Sequence, residues 1–542
     1  MASHEKRLAL QETDEAGHPT ATYIYSRDVA PTSAGRVDVM GSSSASPWST
    51  KPLIDSLSDI FLPSGYPQSV SEDYLPYQIF VSIEVLNLSC LHWIDMHPMP
   101  EQSSRNRSNA HSPCAVSQDS LQAFCSSIAG LLSSRAVLQG VGVGNASASP
   151  TSALLLHILQ DTSGRVATIF FAHRVGTALE PECKTYRLAA DVFNDIAMIL
   201  DCVSPMVPGG AMRVSVLSTA GILRALCGVA GGSSKASLSA HFARWGNLAE
   251  LNAKDSSQET VISLLGMLVG SVVVSHITGF RTTWAALLVL LALHLSMNYA
   301  AVRAVQMTSL NRQRANIVFS ALLDSDSNLE LATLGSSPDP DSDSEHQWKI
   351  LTPADVAQQE RIFHRDAVLE WTQQTPYPKT HRLGTAQIGV PLPTFFQPEP
   401  FKQSRSFQTA IPIAQITALF ADEAYLLSVT RDSSTASPKW HAAILLKKQC
   451  SVRAQLKAWT HALLAARILA ESLPTQHAST TKHAASLQES GMVVDVIARS
   501  LAFLNQHARF ERYVARLAAA GWNVEVAALE TRAGRRVSCS EV

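Results

Sequence analysis

Two aspartates and an arginine at helical spacing are the first residues in this sequence that could do chemistry. Arg187, Asp191 and Asp195 follow one another at four-residue steps within residues 185–200, which have a helical pattern. They therefore share one helix face. In a membrane domain, carboxylates on one face often bind an ion or carry a proton. The alternative is a salt-bridged ladder in which Arg187 neutralises the carboxylates, and this interpretation is favoured.

Two further arginines interrupt apolar stretches and are the natural partners of these carboxylates. Arg135 lies within residues 120–144 and Arg224 within residues 212–232, both rich in small and apolar residues. A charge in such a stretch must be paired or must face a polar cavity if the helix enters lipid. A buried Arg–Asp pair also fixes which helices meet. The predicted polar site consists of Arg135, Asp191, Asp195 and Arg224.

Two histidines and a run of glycines fit structural roles better than catalytic ones. His276 and His294 lie in apolar sequence, where a single histidine is more often a hydrogen-bonded structural residue than a proton relay or a metal ligand. Gly140, Gly142 and Gly144 have the spacing G-x-G-x-G, without the Lys-Ser/Thr that follows in a phosphate loop. Close helix packing explains these glycines better than nucleotide binding.

The lysines and cysteines form no catalytic or metal-binding pattern. A lysine by itself is no evidence for a Schiff base, which applies to Lys184, Lys235 and Lys254. The eight cysteines are scattered and include no C-x-x-C pair, so we expect free thiols rather than a disulfide framework or a zinc site. The sequence predicts a protein that is not an enzyme and has no cofactor and no metal site.

The elements that must position these residues are organised around an apolar stretch, residues 261–302. Residues 261–278 and 282–302 carry no formal charge, and residues 279–281 separate them. At 1.5 Å per residue, each helix can cross a hydrocarbon core about 30 Å thick, the first only just. We therefore predict a membrane-spanning helical hairpin. The alternative is a buried helical hairpin in a large soluble protein.

The composition agrees with a chain that is partly out of water. The chain has 542 residues, enough for two or three domains, and charged residues make up 16% of it. Ordinary soluble domains contain about 25% charged residues. The formal net charge is −2 and there is no long basic run, so we expect no nucleic-acid partner.

Four segments are predicted along the chain. Residues 1–50 are expected to be a largely disordered tail with a short strand around residues 22–25, since they have weak periodicity and end in a Ser-rich tract. Residues 51–320 form the membrane domain, residues 321–349 an acidic linker, and residues 350–542 a C-terminal module. The predicted fold class is mainly α, with a multi-pass helical membrane domain followed by a small soluble α+β module.

The C-terminal module is predicted to have the order β-β-α-α-β. Its strands are expected at residues 425–429, 440–446 and 522–528, with a helix from Val452 and a longer one at residues 493–520. Ahead of these strands, a helix is predicted within residues 352–370. Thr352 is its N-cap and Pro353 its first helical residue.

Residues 244–266, RWGNLAELNAKDSSQETVISLLG, are specific enough to resemble a known family, the root UVB sensitive family. Other blocks resemble that family in the same order, namely residues 62–78, 124–151, 183–201, 228–260, LNRQR at 310–314 and TPADVAQQE at 352–360. The resemblance implies a eukaryotic membrane protein that acts in complexes. It also implies a domain associated with vitamin B6 photoprotection and homeostasis, and it supplies no catalytic residue.

One segment departs from the family pattern. Residues 80–118 separate two blocks that the family joins almost directly, and their composition fits neither a membrane helix nor a structured loop. We predict an insertion here, either one specific to the lineage or an unspliced intron translated into protein. A transcript that always carries these codons would exclude the second explanation.

Two functions are compatible with these observations. The first is a transporter-like or small-molecule-handling membrane component that supports vitamin B6 homeostasis. The alternative is a non-catalytic membrane scaffold that acts in a protein complex, and a soluble enzyme is a distant third. The expected partners are the lipid bilayer and a family paralogue or another protein. The sequence predicts an integral membrane location but determines neither the organelle nor the small-molecule ligand.

Overall fold

The computed structural model describes two compact units of the chain. The residues described are 7–13, 19–26, 36–41, 63, 66, 68–74, 118–140, 150–329, 348–373, 379–396, 413–432, 439–472, 482–532 and 534–537. The first unit comprises Met1–Gln160, Asp191–Leu223 and Lys235–Val305. The second comprises Asp161–Ala190, Arg224–Ser234 and Gln306–Val542. The predicted insertion at residues 80–118 lies almost wholly outside the described residues.

The N-terminal segment contains a three-stranded antiparallel sheet. It is formed by β1 (Arg7–Thr13), β2 (Pro19–Ser26) and β3 (Arg36–Gly41), in that order. The prediction of a largely disordered tail is wrong for these residues, although the predicted strand at residues 22–25 lies within β2. The sequence of β2, PTATYIYS, is rich in β-branched and aromatic residues, which favour strands. Pairing with a strand on each side extends this local preference into a sheet.

Six helices follow, and the first unit is built mainly from them. They are α1 (Gln118–Gly140), α2 (Pro150–Val175), α3 (Cys183–Val203), α4 (Ala211–Phe242), α5 (Leu248–His276) and α6 (Phe280–Ala304). Helix α1 packs against both α5 and α6. A small apolar core joins α1, α3 and α6 through Ala129, Leu132, Met198, Cys202, Leu287 and Leu291.

Four of these helices are long and apolar enough to cross a membrane. They are α1 over Leu121–Gly140, together with α4, α5 and α6. The predicted hairpin corresponds to α5 and α6, with its break at residues 277–279 rather than 279–281. Both helices expose large apolar side chains, such as Leu268, Val272 and Val289. The helical, apolar character of the hairpin is thus as predicted.

Glycines bring α5 close to α1. A Cβ atom at Gly266 would lie 2.8 Å from Ser127 Cβ and 3.0 Å from the Phe124 carbonyl oxygen. A Cβ atom at Gly270 would lie 2.7 Å from Leu131 Cδ1. Real Cβ contacts are not this short, so only glycine allows the two backbones to approach this far. Small residues serve the same purpose where helices associate in lipid.

The second unit contains a sheet covered by helices. After α7 (Arg312–Asp324) and α8 (Pro353–Gln359) come the remaining elements: β4 (Val368–Gln373), β5 (Lys379–Ile388), α9 (Leu392–Phe396), α10 (Ile413–Leu419), β6 (Tyr425–Asp432), β7 (Lys439–Lys447), α11 (Val452–Ser472), α12 (Lys482–Asn505), α13 (Arg509–Ala519) and β8 (Arg536–Val537). The strand order is β4-β5-β7-β6, and β8 pairs with one end of β7. The β5–β7 and β7–β8 pairs are parallel and the others antiparallel.

The two strands predicted first in the C-terminal module are correct, and several later features differ. Residues 522–528 alternate in burial as a strand does, but they form only an isolated bridge between Asn523 and Ser309. The strand after the helices is β8 instead. The single helix predicted at residues 493–520 is two helices, because His507 and Ala508 adopt positive φ and end α12.

Two predicted boundaries also move. The helix that starts at Thr352 has the expected cap, completed by Asp355, but it ends at Gln359. Residues 360–367 are turns and irregular backbone, and β4 begins at Val368. The predicted linker at 321–349 begins too early, because α7 continues to Asp324 and its residues Ala321, Leu322 and Leu323 are buried in the core of the second unit. Residues 330–347 lie outside the described residues.

Candidate functional site

Arg135, one of the four predicted site residues, binds carbonyl and hydroxyl oxygens. Arg135 donates from Nη1 to the carbonyl oxygens of Val274 (2.8 Å) and Ile277 (2.6 Å), and from Nη2 to Thr283 Oγ1 (3.0 Å). Two of these acceptors are carbonyls at the C-terminal end of α5, which a cation stabilises. Among the described residues, Arg135 therefore holds the break between α5 and α6. None of these three partners is an aspartate.

The two aspartates lie on one buried face of α3, as their spacing predicts. Asp191 and Asp195 are both less than a tenth exposed, and both belong to the first unit. Arg224 lies on α4 in a segment of the second unit. Of the predicted set, Arg135, Asp191 and Asp195 thus lie in the first unit.

Asp195 is paired with a histidine that sequence reasoning had assigned to a structural role. Asp195 Oδ1 lies 2.8 Å from His294 Nδ1 on α6, and the two side chains are 4% and 2% exposed. A signal for this existed in the sequence. The buried positions of α6, namely Leu287, Leu291, His294, Asn298 and Ala301, recur at steps of four and three residues. His294 therefore occupies the packed face of an apolar helix.

Further polar contacts extend this pair along the helix interfaces. Asn298 Nδ2 donates to Gln122 Oε1 at 3.1 Å and to the His294 carbonyl oxygen at 3.2 Å. Ser133 Oγ donates to Asp201 Oδ2 at 2.8 Å. All of these side chains are buried. We call the set the buried polar seam: Gln122, Ser133, Asp195, Asp201, His294 and Asn298.

Chemically, the seam places a carboxylate and an imidazole side by side in apolar surroundings. Burial disfavours an isolated charge, so a carboxylate there is either protonated or balanced by a cation or a hydrogen-bond donor. Histidine can supply that balance because it changes protonation near neutral pH. The Asp195–His294 pair can therefore hold or transfer a proton, or accept the N–H of a bound ligand once the pair opens.

The second unit contains a different group of buried charges. Glu360 Oε2 accepts a hydrogen bond from Lys184 Nζ at 2.7 Å, and its Oε1 accepts one from Arg314 Nε at 2.8 Å. All three side chains are almost fully buried. Burial alone would raise the pKa of Glu360, but the charges of Arg314 and Lys184 outweigh it and hold that pKa below its ordinary value. Lys184 is thus an ion-pair partner.

Glu182 adjoins this group and titrates differently. Burial raises the pKa of Glu182 to about 7, against the opposing charge of Arg314. Its Oε2 accepts a hydrogen bond of 3.1 Å from Asn311, the residue that caps α7. Arg312 pairs with Asp366 nearby. We call the set the buried charge cluster: Glu182, Lys184, Arg312, Arg314, Glu360 and Asp366. The sequence blocks at 183–201, 310–314 and 352–360 converge here.

Two family models match the chain. A vitamin B6 photo-protection and homoeostasis domain matches residues 47–100 and 116–326. The C-terminal domain of root UVB sensitive proteins matches residues 414–535. The unmatched residues 101–115 fall within the predicted insertion, and the first model includes residues 80–100 of that segment. No solved structure matches the chain.

Curated relatives agree with the family models. RUS family member 1 of Dictyostelium discoideum is 39% identical over 267 residues, which cover 48% of this chain and 43% of the relative. Protein root UVB sensitive 3 of Arabidopsis thaliana is 26% identical over 414 residues, 76% of this chain and 75% of the relative. The chain thus matches less than half of the first relative's length. The chain belongs to the root UVB sensitive family.

Proposed function

We propose that this chain is an integral membrane protein that handles a small molecule in support of vitamin B6 homeostasis, with Asp195 and His294 as its working groups. The observation that carries the proposal is the buried polar seam, in which α3 meets α1 and α6, two helices long and apolar enough to cross a membrane. Ionisable residues within membrane helices are costly and are most often functional. The matched domain's description supplies the link to vitamin B6.

The membrane placement is supported by four helices of sufficient length and apolarity. In water, exposing residues such as Leu268 and Val289 would be unfavourable, whereas lipid acyl chains are suitable neighbours. Retention of the chain in vesicles washed with alkaline carbonate tests this part directly. Release into the wash would contradict it.

The chemistry of vitamin B6 compounds suits a carboxylate at this position. Their pyridine nitrogen, when protonated, commonly pairs with an aspartate in proteins. In the conformation described, Asp195 and His294 lie within contact of each other, so a ligand would reach the carboxylate by displacing His294. Separation of the Asp195–His294 pair would therefore control whether a ligand can reach the carboxylate.

Uptake of pyridoxal by lipid vesicles that contain the purified chain tests the proposal. We expect Asp195→Asn and His294→Gln each to reduce uptake severalfold. The matched control is Asp495→Asn on α12, because Asp495 is an exposed aspartate that pairs across the helix surface with Arg499. Normal uptake by both seam variants would remove the proposed site. No uptake by the unmodified chain would favour the scaffold function.

A further inference from the structure

Helix α2 exposes large apolar side chains. It is not one of the four helices that are long and apolar enough by themselves to cross a membrane. Its exposed residues include Ile169 at 68% and Phe170 at 69%. We call the full set the α2 stripe: Leu154, Leu155, Ile158, Leu159, Val166, Ile169 and Phe170. At 100° per residue, these seven positions cover an arc of roughly 160°. They form a broad apolar face, with Arg165 near one border and Thr162 within it.

The amphipathic arrangement of α2 is the reverse of that in a water-soluble helix. A helix at a water-exposed surface turns its large apolar residues inward and its polar residues outward. In α2 the inward position is taken by Gly164, the buried residue of this helix among those described, while leucine, isoleucine and phenylalanine side chains face outward. The candidate membrane helix α5 shows a similar reversal, because it buries Gly266 and Gly270 and exposes large side chains such as Leu268. A common surrounding, lipid, accounts for both.

The charges of α2 are compatible with that surrounding. Asp161 and Arg165 lie at one edge of the stripe, and Arg165 Nε donates to Asp161 Oδ2 at 2.8 Å. The two charges neutralise each other across one helical turn, which is the condition for charges to enter an apolar layer. At the end of the helix, His173 and Arg174 are exposed and suit the polar headgroup region.

We infer that α2 is a fifth membrane-embedded helix and that the α2 stripe contacts lipid acyl chains. The helix has 26 residues and a length of about 39 Å, more than the hydrocarbon core requires. A seam that binds one partner helix is a narrower band of residues, whereas an arc of this width suits the uniform surroundings of acyl chains. The inference rests on the membrane placement proposed above.

Cysteine accessibility tests the inference. Leu155→Cys and Ile169→Cys variants in native membranes would be treated with a membrane-impermeant maleimide. Peptide mass spectrometry would then read the label at the introduced position alone, so the eight native cysteines do not interfere. Glu525→Cys is the control, because Glu525 is 63% exposed in the second unit. We expect about tenfold less label at both stripe positions than at the control, since a thiol in lipid does not ionise to the reactive thiolate.

Each outcome has a distinct meaning. Label at both stripe positions that equals the control, with the chain resistant to carbonate, overturns the inference and leaves the proposed function standing. Release of the chain by carbonate overturns the proposed membrane placement itself. Protected stripe cysteines that form disulfide-linked dimers under mild oxidation would show that a second copy covers the stripe, and this also overturns the lipid contact. Protection that is lost on denaturation, without dimers, supports it.

Discussion

The first unit and the part of the second unit beyond residue 306 differ in how they bury charge and in how much large apolar surface they expose. The first unit has a small apolar core and several helices whose outer faces are apolar. In the second unit, an extensive apolar core surrounds the sheet, and beyond residue 306 the exposed large apolar residues among those described are Phe363 and Leu392. The comparison teaches that apolar content alone does not distinguish a helix that packs in a protein core from a helix with an apolar outer face. The two are distinguished by whether their large side chains point inward or outward.

The buried charges differ in a related way. In the second unit, Glu360 has two cations, Lys184 and Arg314, within hydrogen-bond distance. In the first unit, Asp195 has one histidine. A carboxylate held by two permanent cations is fixed, whereas a carboxylate next to a titratable imidazole can change its partner. The buried charge cluster is therefore expected to act in stability and the buried polar seam in function, and four predictions test that division.

The largest effect is expected from Glu360→Gln. This change leaves Arg314 and Lys184 buried without their shared counter-charge, and removing one member of a buried ion pair costs about 3–5 kcal/mol. Chemical denaturation of the purified chain in detergent measures the free energy of unfolding. Glu525→Gln is the matched control, because its pair with Arg453 is exposed and is worth about 0–1 kcal/mol. Equal effects of the two changes would show that the cluster does not stabilise the second unit.

Gly266→Val addresses the first unit through its helix packing. A branched side chain here must push α5 away from the α1 backbone, and overpacking of this kind costs about 1–3 kcal/mol. The thermal midpoint of the chain in detergent measures the loss. Gly228→Val on α4 is the control, since a Cβ atom there meets open space. If both variants melt alike, close approach of α5 and α1 does not hold the first unit together.

A double-mutant cycle of Asp195→Asn and His294→Gln measures the seam pair itself. Residues in direct contact show interaction energies of about 0.5–3 kcal/mol. We expect a value near the lower end for Asp195 and His294, because a histidine is charged only when it is protonated. Thermal unfolding of the four proteins in the same detergent supplies the energies. Additive effects, with no interaction energy, would mean that the 2.8 Å contact does not stabilise the folded chain in detergent.

The last prediction concerns the change of stability with pH at Glu182. Its pKa rises from 4.5 in the unfolded chain to about 7 in the folded chain. Between these pH values the folded state binds more protons than the unfolded state, so the contribution of Glu182 to stability falls as pH rises. Glu182→Gln removes this pH-dependent contribution to the free energy of unfolding. The variant should therefore gain about 2–3 kcal/mol relative to the unmodified chain between pH 5 and pH 8. A difference that does not change with pH contradicts the shift.

Several features could be predicted because they depend on neighbouring residues. The α5–α6 hairpin, the cap of α8 at Thr352 and the common face of Asp191 and Asp195 all follow from spacing along one helix. The errors arose where distant segments meet. Pairing created the N-terminal sheet, and core packing drew α7 into the second unit although its sequence contains Arg312 and Arg314.

The sequence by itself determined the helices, their apolar character, the family and the residues that could carry charge in the interior. The tertiary structure alone decided which charges meet. Asp195 meets His294, Arg135 meets the end of α5, and Lys184 meets Glu360, which lies 176 positions away along the chain. The physical reason is that helical spacing fixes the direction of a side chain from its own segment. Its partner depends on how separate segments pack, and no local pattern records that.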